Sequence, residues 1–226
     1  MAGRRHSLFR RPLRPPVLSH NVEYDRERGV TPLKQDLLQR FNQYRPRALP
    51  LAYPRASVLV PITNARDPEI VLTRRAARNG PHSGQVAFPG GMASQADAGP
   101  EATALRETHE EVGLPPERVE LLGELSQVVS RHGILVTPYV GLVPETYPYR
   151  AEPGEVETVF QVPVRWLLDD RRSRTDEISF HDWRLYVPCY RWQEHDIWGL
   201  SAIILVECLN MAFDAAIDIT KPPREG

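Results

Sequence analysis

Glu107, Glu110 and Glu111 fall within the run Leu105–Leu114 (LRETHEEVGL), and their spacing has chemical consequences. On a helix, at about 100° per residue, Glu107 and Glu111 lie one turn apart on one face, with Glu110 within about 60° of Glu107. Like-charge pairs at this spacing cost a few tenths of a kcal/mol each. Arg106 neutralises part of that charge. A hard divalent cation such as Mg²⁺, which takes oxygen ligands, would neutralise the rest. Taken alone, three carboxylates on a helix also read as a solvated face. Ahead of them stands Phe88–Gly91 (FPGG), predicted to form a tight turn whose backbone can approach a ligand or offer a carbonyl to a metal. Behind them Gly113 is a helix stop.

The elements that would hold these groups can be read from periodicity. Thr31-Pro32 supplies an N-cap and a first-turn proline, and Leu33, Leu37, Leu38 and Phe41 recur at helical spacing up to about Tyr44. Pro46, Pro50 and Pro54 mark an extended connector. Ala56–Ile62 and Glu69–Thr73 read as strands joined by a hairpin turn at Asn64–Pro68. Gln85–Phe88 is a third short strand, and a helix runs from about Glu101 to Val112. Strands follow at Val119–Val129, Ile134–Val143 and Val159–Val162, then a helical turn at Pro163–Leu168. Ile178–Trp192 reads as a hairpin and Leu200–Ala216 as a last helix, with Glu207, Asn210 and Asp214 off its apolar side. Strands and helices intersperse without regular alternation. That favours an α/β fold with a mixed sheet and helices on its faces.

A glycine turn, an Arg-Glu pair, two further glutamates and a closing glycine, in that order, resemble the signature of the Nudix hydrolases. Arg106, Glu107, Glu110, Glu111, Gly113 and Leu114 match its second half. Asp97 stands where the pattern has glutamate, Arg106 follows it nine residues on instead of eight, and Thr108 takes a usually aliphatic position. Leu72–Gly91 (LTRRAARNGPHSGQVAFPGG) looks like the coenzyme A pyrophosphatase branch of that family, through Leu72, Thr73, Arg75, Ala76, His82, Gly84, Gln85 and Phe88–Gly91. Thr103–Thr108 and Ile197–Ala202 are similar to further segments of the branch. Asn79-Gly80 departs from it, replacing a leucine–arginine pair, with Arg78 two positions from the missing charge.

The resemblance implies a Nudix α/β/α sandwich, a mixed curved sheet between helices, over residues 51–220. A basic arm and the amphipathic helix would occupy 1–50. It also implies a metal-binding pyrophosphohydrolase that cleaves the diphosphate of coenzyme A or its thioesters to adenosine 3′,5′-bisphosphate and (acyl-)4′-phosphopantetheine. Magnesium or manganese would be held by Glu107, Glu111 and Glu110 with the Gly91 carbonyl. Glu110, or second Glu155 in the AEPGEVET loop, would be the general base. Arg74, Arg75, Arg78, His82 and Gln85 would bind substrate. The alternatives are another nucleoside diphosphate derivative, such as ADP-ribose or a dinucleotide, and a non-catalytic nucleotide-binding module.

Composition narrows the partners. The 226 residues are 41% hydrophobic and 25% charged with a net charge of −1, which gives no general attraction for nucleic acid or anionic membranes. Cys189 and Cys208 are too few for a disulfide scaffold and are expected as small buried hydrophobes; a reducing, cytoplasmic setting follows. Residues 1–20 carry Arg4, Arg5, Arg10, Arg11 and Arg14 and no acid, but Pro12, Pro15 and Pro16 would break an amphipathic targeting helix. His109 reads as an outward-facing helix residue, and His132, His181 and His195 have no assigned role. Trp166, Trp183, Trp192 and Trp198 read as packing residues, and a homodimer through the apolar last helix is expected.

Overall fold

Thr31 opens the first helix, α1 (Pro32–Gln43), by accepting a hydrogen bond from the Lys34 amide at 3.2 Å, with Pro32 in the first turn. A computed structural model describes residues 31–77, 84–180 and 183–222. Leu37 is the buried residue of α1. Arg40 pairs with Asp214 at 2.7 Å and Lys34 with Glu120 at 2.7 Å. The Tyr44 hydroxyl donates to Glu207, whose carboxylate also accepts from the Ser126 amide at 2.9 Å.

The main sheet is built on β1 (Arg55–Thr63), which pairs antiparallel with β2 (Glu69–Arg75) as the predicted hairpin. On its other side β1 runs parallel to β7 (Leu135–Val143) in an unbroken register from Arg55↔Leu135 to Thr63↔Val143. Two short strands, β3 (Val86–Ala87) and β4 (Gly90–Met92), pair with β2 and β1 respectively. β5 (Glu120–Glu124) and β6 (Val128–Val129) lie antiparallel to β7, and β8 (Val156–Pro163) lies antiparallel to β2. The mixed sheet that the sequence leads one to expect is therefore present.

Alternation along the strands divides the core into two faces. Val60, Ile62, Ile70 and Leu72 join one cluster with Ile204, Leu205, Cys208 and Leu209 of the last helix, α4 (Gly199–Phe213). Leu59 and Val71, one position out of phase, meet Ala104 and Val112 of α2 (Pro100–Val112) on the other face. A short helix, α3 (Val164–Leu168), follows β8. A three-stranded sheet follows it, in the order β11 (His195–Ile197), β10 (Trp183–Trp192), β9 (Arg172–Phe180). Both cysteines are buried.

Several expected boundaries move, each for a local reason. Phe88–Gly91 is not simply a tight turn, because Gly90 and Gly91 pair with Val58 and Ser57 as part of β4. The strand expected over Val119–Val129 breaks into β5 and β6. Between them the Ser126 and Gln127 amides turn to the Glu207 carboxylate and the Arg47 carbonyl. The last helix stops at Phe213, where Asp214 adopts φ 53° and Asn210 bonds the backbone of Ile217 at 2.8 Å through both its amide groups. The hairpin expected over Ile178–Trp192 begins earlier, at Arg172. No helix among the described residues is long and apolar enough to cross a membrane.

Candidate active site

The first turn of α2 carries Pro100, and its last residue is followed by Gly113 in the left-handed region at φ 70°, with the Gly113 amide bonded to the His109 carbonyl at 2.9 Å. This frame fixes the helix register. Thr108, at the position usually aliphatic, is buried and returns its hydroxyl to the Ala104 carbonyl at 2.6 Å. His109 is exposed, as expected.

Glu111 faces the sheet and is only 4% exposed. One carboxylate oxygen accepts from the Gly90 amide at 3.0 Å. Burial pushes its carboxyl up to about 7. The Gly90 amide and Arg75 oppose that rise, while Glu107 and Glu155 add to it. Glu111 is therefore a buried acid lacking enough positive charge around it, with Arg75 and two further carboxylates in electrostatic contact.

Arg106 organises the remaining acids. Its guanidinium meets Glu107 at 2.9 Å, Glu110 at 2.9 Å and Asp97 at 2.8 Å, and also donates to the Met92 carbonyl at 3.1 Å. Asp97 grips Arg106 through both oxygens and accepts from the Thr103 hydroxyl and the Ser94 amide. Led by the Arg106 hydrogen bonds, these donors hold the Asp97 carboxyl well below the usual range. Asp97 is thus an anchor for Arg106. Its nine-residue spacing gives no helical or strand signal that would have shown this.

Gly91 is where the β-structure and the acids touch. A Cβ there would stand 2.3 Å from the Glu107 carboxylate, so any larger residue at this position would push that side chain aside. Glu155 is exposed and follows the loop whose Glu152 amide bonds the Glu111 carbonyl at 2.9 Å. The structure therefore brings together Glu107, Glu110, Glu111, Gly91, Arg75 and Glu155. Arg74 is not with them: it leaves β2 on the opposite side and pairs with Glu157 at 3.3 Å. Gln85 lies beside Arg74 in a separate cleft. Arg78, His82 and the Asn79-Gly80 departure lie outside the described residues. A cleft of about 480 Å³ lined by Thr63, Asp67, Glu145, Tyr147 and Gln161 includes none of the three helix glutamates.

Among the described residues no three acids or imidazoles converge as a finished metal shell. Arg106 draws Glu107 and Glu110 to itself while Glu111 faces Gly90. The donor set nevertheless fits a hard cation: oxygen ligands only, one of them buried and short of positive charge.

The chain matches the NUDIX domain family over residues 53–187. It is 41% identical over 178 residues to the uncharacterized Nudix hydrolase NudL of Enterobacter sp. (strain 638), covering 76% of this chain and 91% of that one. It is 39% identical over 176 residues to the protein of the same name from Escherichia coli (strain K12), with the same shares covered. Its backbone is similar to a MutT/nudix family protein from Enterococcus faecalis. That match has a TM-score of 0.51 at 18% identity, over 83% of this chain and 71% of that one, and speaks to fold alone.

Proposed function

Since this chain belongs to the Nudix family, we propose that it hydrolyses the diphosphate linkage of coenzyme A or its thioesters, releasing adenosine 3′,5′-bisphosphate and (acyl-)4′-phosphopantetheine. The observation that carries the hydrolytic reading is the buried, charge-strained Glu111 beside Glu107, Gly90 and Arg75. The choice of coenzyme A rests on the Leu72–Gly91 sequence block, which delivers Arg75 and the glycine pair to that carboxylate.

In this reading Glu107, Glu111 and Glu110, with the Gly91 carbonyl, hold Mg²⁺ or Mn²⁺. Bound there, the ion supplies charge neutralisation for the diphosphate and a more acidic water. Arg75 faces the same carboxylates and binds a diphosphate oxygen. Water attacks phosphorus as the bridging P–O bond breaks, and its proton passes to a carboxylate. Glu110 is bonded to Arg106, whereas Glu155 lies in electrostatic contact with Glu111. We therefore assign the proton acceptor to Glu155 ahead of Glu110.

Asp97 acts through Arg106, orienting Glu107 without touching substrate. Asp97→Asn is expected to weaken Mn²⁺ binding about tenfold, the scale typical when the groups that orient metal ligands are lost. Asp97→Glu should recover most of that loss, with calorimetry reading both. Equal Mn²⁺ affinity in Asp97→Asn and wild type would show that Asp97 only staples the loop.

Substrate choice is tested by offering coenzyme A, ADP-ribose and NADH in parallel with Mg²⁺ or Mn²⁺ and resolving the products by chromatography. Adenosine 3′,5′-bisphosphate from coenzyme A, with the other two turned over at least about tenfold more slowly, is the expected result. Preferential cleavage of ADP-ribose or NADH would move the assignment to another nucleoside diphosphate derivative.

A further inference from the structure

A helix leaves its last carbonyls without partners inside the helix. At the end of α2, three consecutive carbonyls are answered by one stretch of chain. The Glu152 amide donates to the Glu111 carbonyl at 2.9 Å and the Arg150 amide to the Val112 carbonyl at 3.0 Å. The Tyr147 hydroxyl donates to the Gly113 carbonyl at 2.7 Å. Residues 147–152 therefore run along the helix end in the opposite chain direction. The bond that opens this stretch is the one made by a side chain.

The same stretch leads straight to Glu155. The Glu152 carbonyl accepts from the Glu155 amide and from the Val156 amide, each at 2.9 Å. Glu111 and Glu155 are thus joined by two hydrogen bonds through the backbone of one residue, Glu152. Beyond the turn the Glu155 carbonyl accepts from the Ala76 amide at 2.9 Å, and Val156 is the ladder partner of Arg75. Glu111 is held at its carboxylate by Gly90 and at its carbonyl by Glu152, with Glu155 and Arg75 in register beside it. Glu155 adds negative potential at Glu111, so the loop stays in place against like-charge repulsion.

Packing accounts for the Tyr147 ring but not for its hydroxyl. The ring lies against the cluster of Val71, Val112, Leu114 and Val143, and edge-on to Tyr149 with centroids 5.1 Å apart. A phenylalanine would fill the same space. The hydroxyl adds a fixed point between the loop and the end of the helix that carries the acids. We propose that Tyr147 is a positioning residue for the hydrolysis: its hydroxyl clamps the 147–155 segment to α2 and so sets Glu155 against Glu111. Tyr147 acts through Glu155 and not on the reacting atoms. The proposal rests on the reading of Glu155 as the proton acceptor.

Tyr147→Phe in the full chain tests the clamp, because the ring stays and only the hydroxyl goes. With saturating Mg²⁺ and coenzyme A, kcat is expected to fall about three- to tenfold, the scale of one net hydrogen bond. KM for coenzyme A and Mn²⁺ affinity should not change. Added to Glu155→Gln, itself slow, Tyr147→Phe should cause no further loss, because the two residues act as a unit. A wild-type kcat in Tyr147→Phe beside a slow Glu155→Gln overturns this proposal alone. So does an equal fractional loss in the Glu155→Gln background, or a loss confined to KM or Mn²⁺ affinity. Glu155→Gln at the wild-type rate overturns the proton-acceptor reading and this proposal with it. Amide hydrogen exchange in EDTA reads the clamp without turnover, even in a chain that leaves coenzyme A intact. Exchange at Arg150 and Glu152 should be about three- to tenfold faster in Tyr147→Phe, and unchanged exchange overturns the proposal.

Discussion

Glu111→Gln is expected to lower kcat about 10³-fold, the scale of several kcal/mol of transition-state charge stabilisation lost with a metal-holding carboxylate. The same change should make the metal-free protein more stable. Burial raises the Glu111 carboxyl from its ordinary value near 4.5 to about 7. Between those values the folded chain holds a proton that the unfolded chain has released. The stability contributed by this group is therefore greatest below about pH 4.5, falls as pH rises towards 7, and is flat beyond. At pH 8 in EDTA the charged form costs on the order of 3 kcal/mol, and a neutral glutamine that keeps the Gly90 hydrogen bond removes most of that cost. Urea unfolding at pH 5 and pH 8 reads the effect, and the gain in Glu111→Gln should be larger at pH 8. Lost activity together with lost stability at both pH values would mean that Glu111 holds the fold together and is not a strained functional acid.

Gly90→Ala is expected to cost about 3 kcal/mol or more, a large fraction of the roughly 5–15 kcal/mol that ordinarily holds a domain folded. Gly90 sits at φ 150°, and a Cβ there would stand 2.3 Å from the Ser57 carbonyl oxygen and 2.5 Å from the Val58 Cα. Both are backbone atoms of β1, so no rotamer change relieves the clash. Gly99→Ala is the control, because nothing lies within 4 Å of its Cβ position. Its midpoint in urea should stay within about 0.5 kcal/mol of wild type. A Gly90→Ala variant with a wild-type midpoint would contradict the close docking of β4 on β1, and with it the placement of Gly91 against Glu107.

Much of this arrangement is legible locally. Thr31-Pro32, the leucines of α1, the hairpin strands and Gly113 each signal their element through a side-chain or backbone preference of their own. The faces of α2 follow from 100° spacing alone. What the sequence hides depends on distant partners. β4 is invisible because Gly90 and Gly91 carry no side chains to alternate, and its pairing is dictated by Ser57 and Val58. The break between β5 and β6 is set by the Glu207 carboxylate, some 80 residues away. The burial of Glu111 comes from the docking of Gly90, not from anything in its own helix.

Diphosphate hydrolysis that depends on Glu111 is tested most directly by product formation from coenzyme A by wild type and Glu111→Gln at saturating Mg²⁺. Adenosine 3′,5′-bisphosphate and 4′-phosphopantetheine are expected in equal amounts from wild type, with almost none from the variant. Turnover at the wild-type rate in Glu111→Gln, or cleavage that leaves the diphosphate intact, would contradict it.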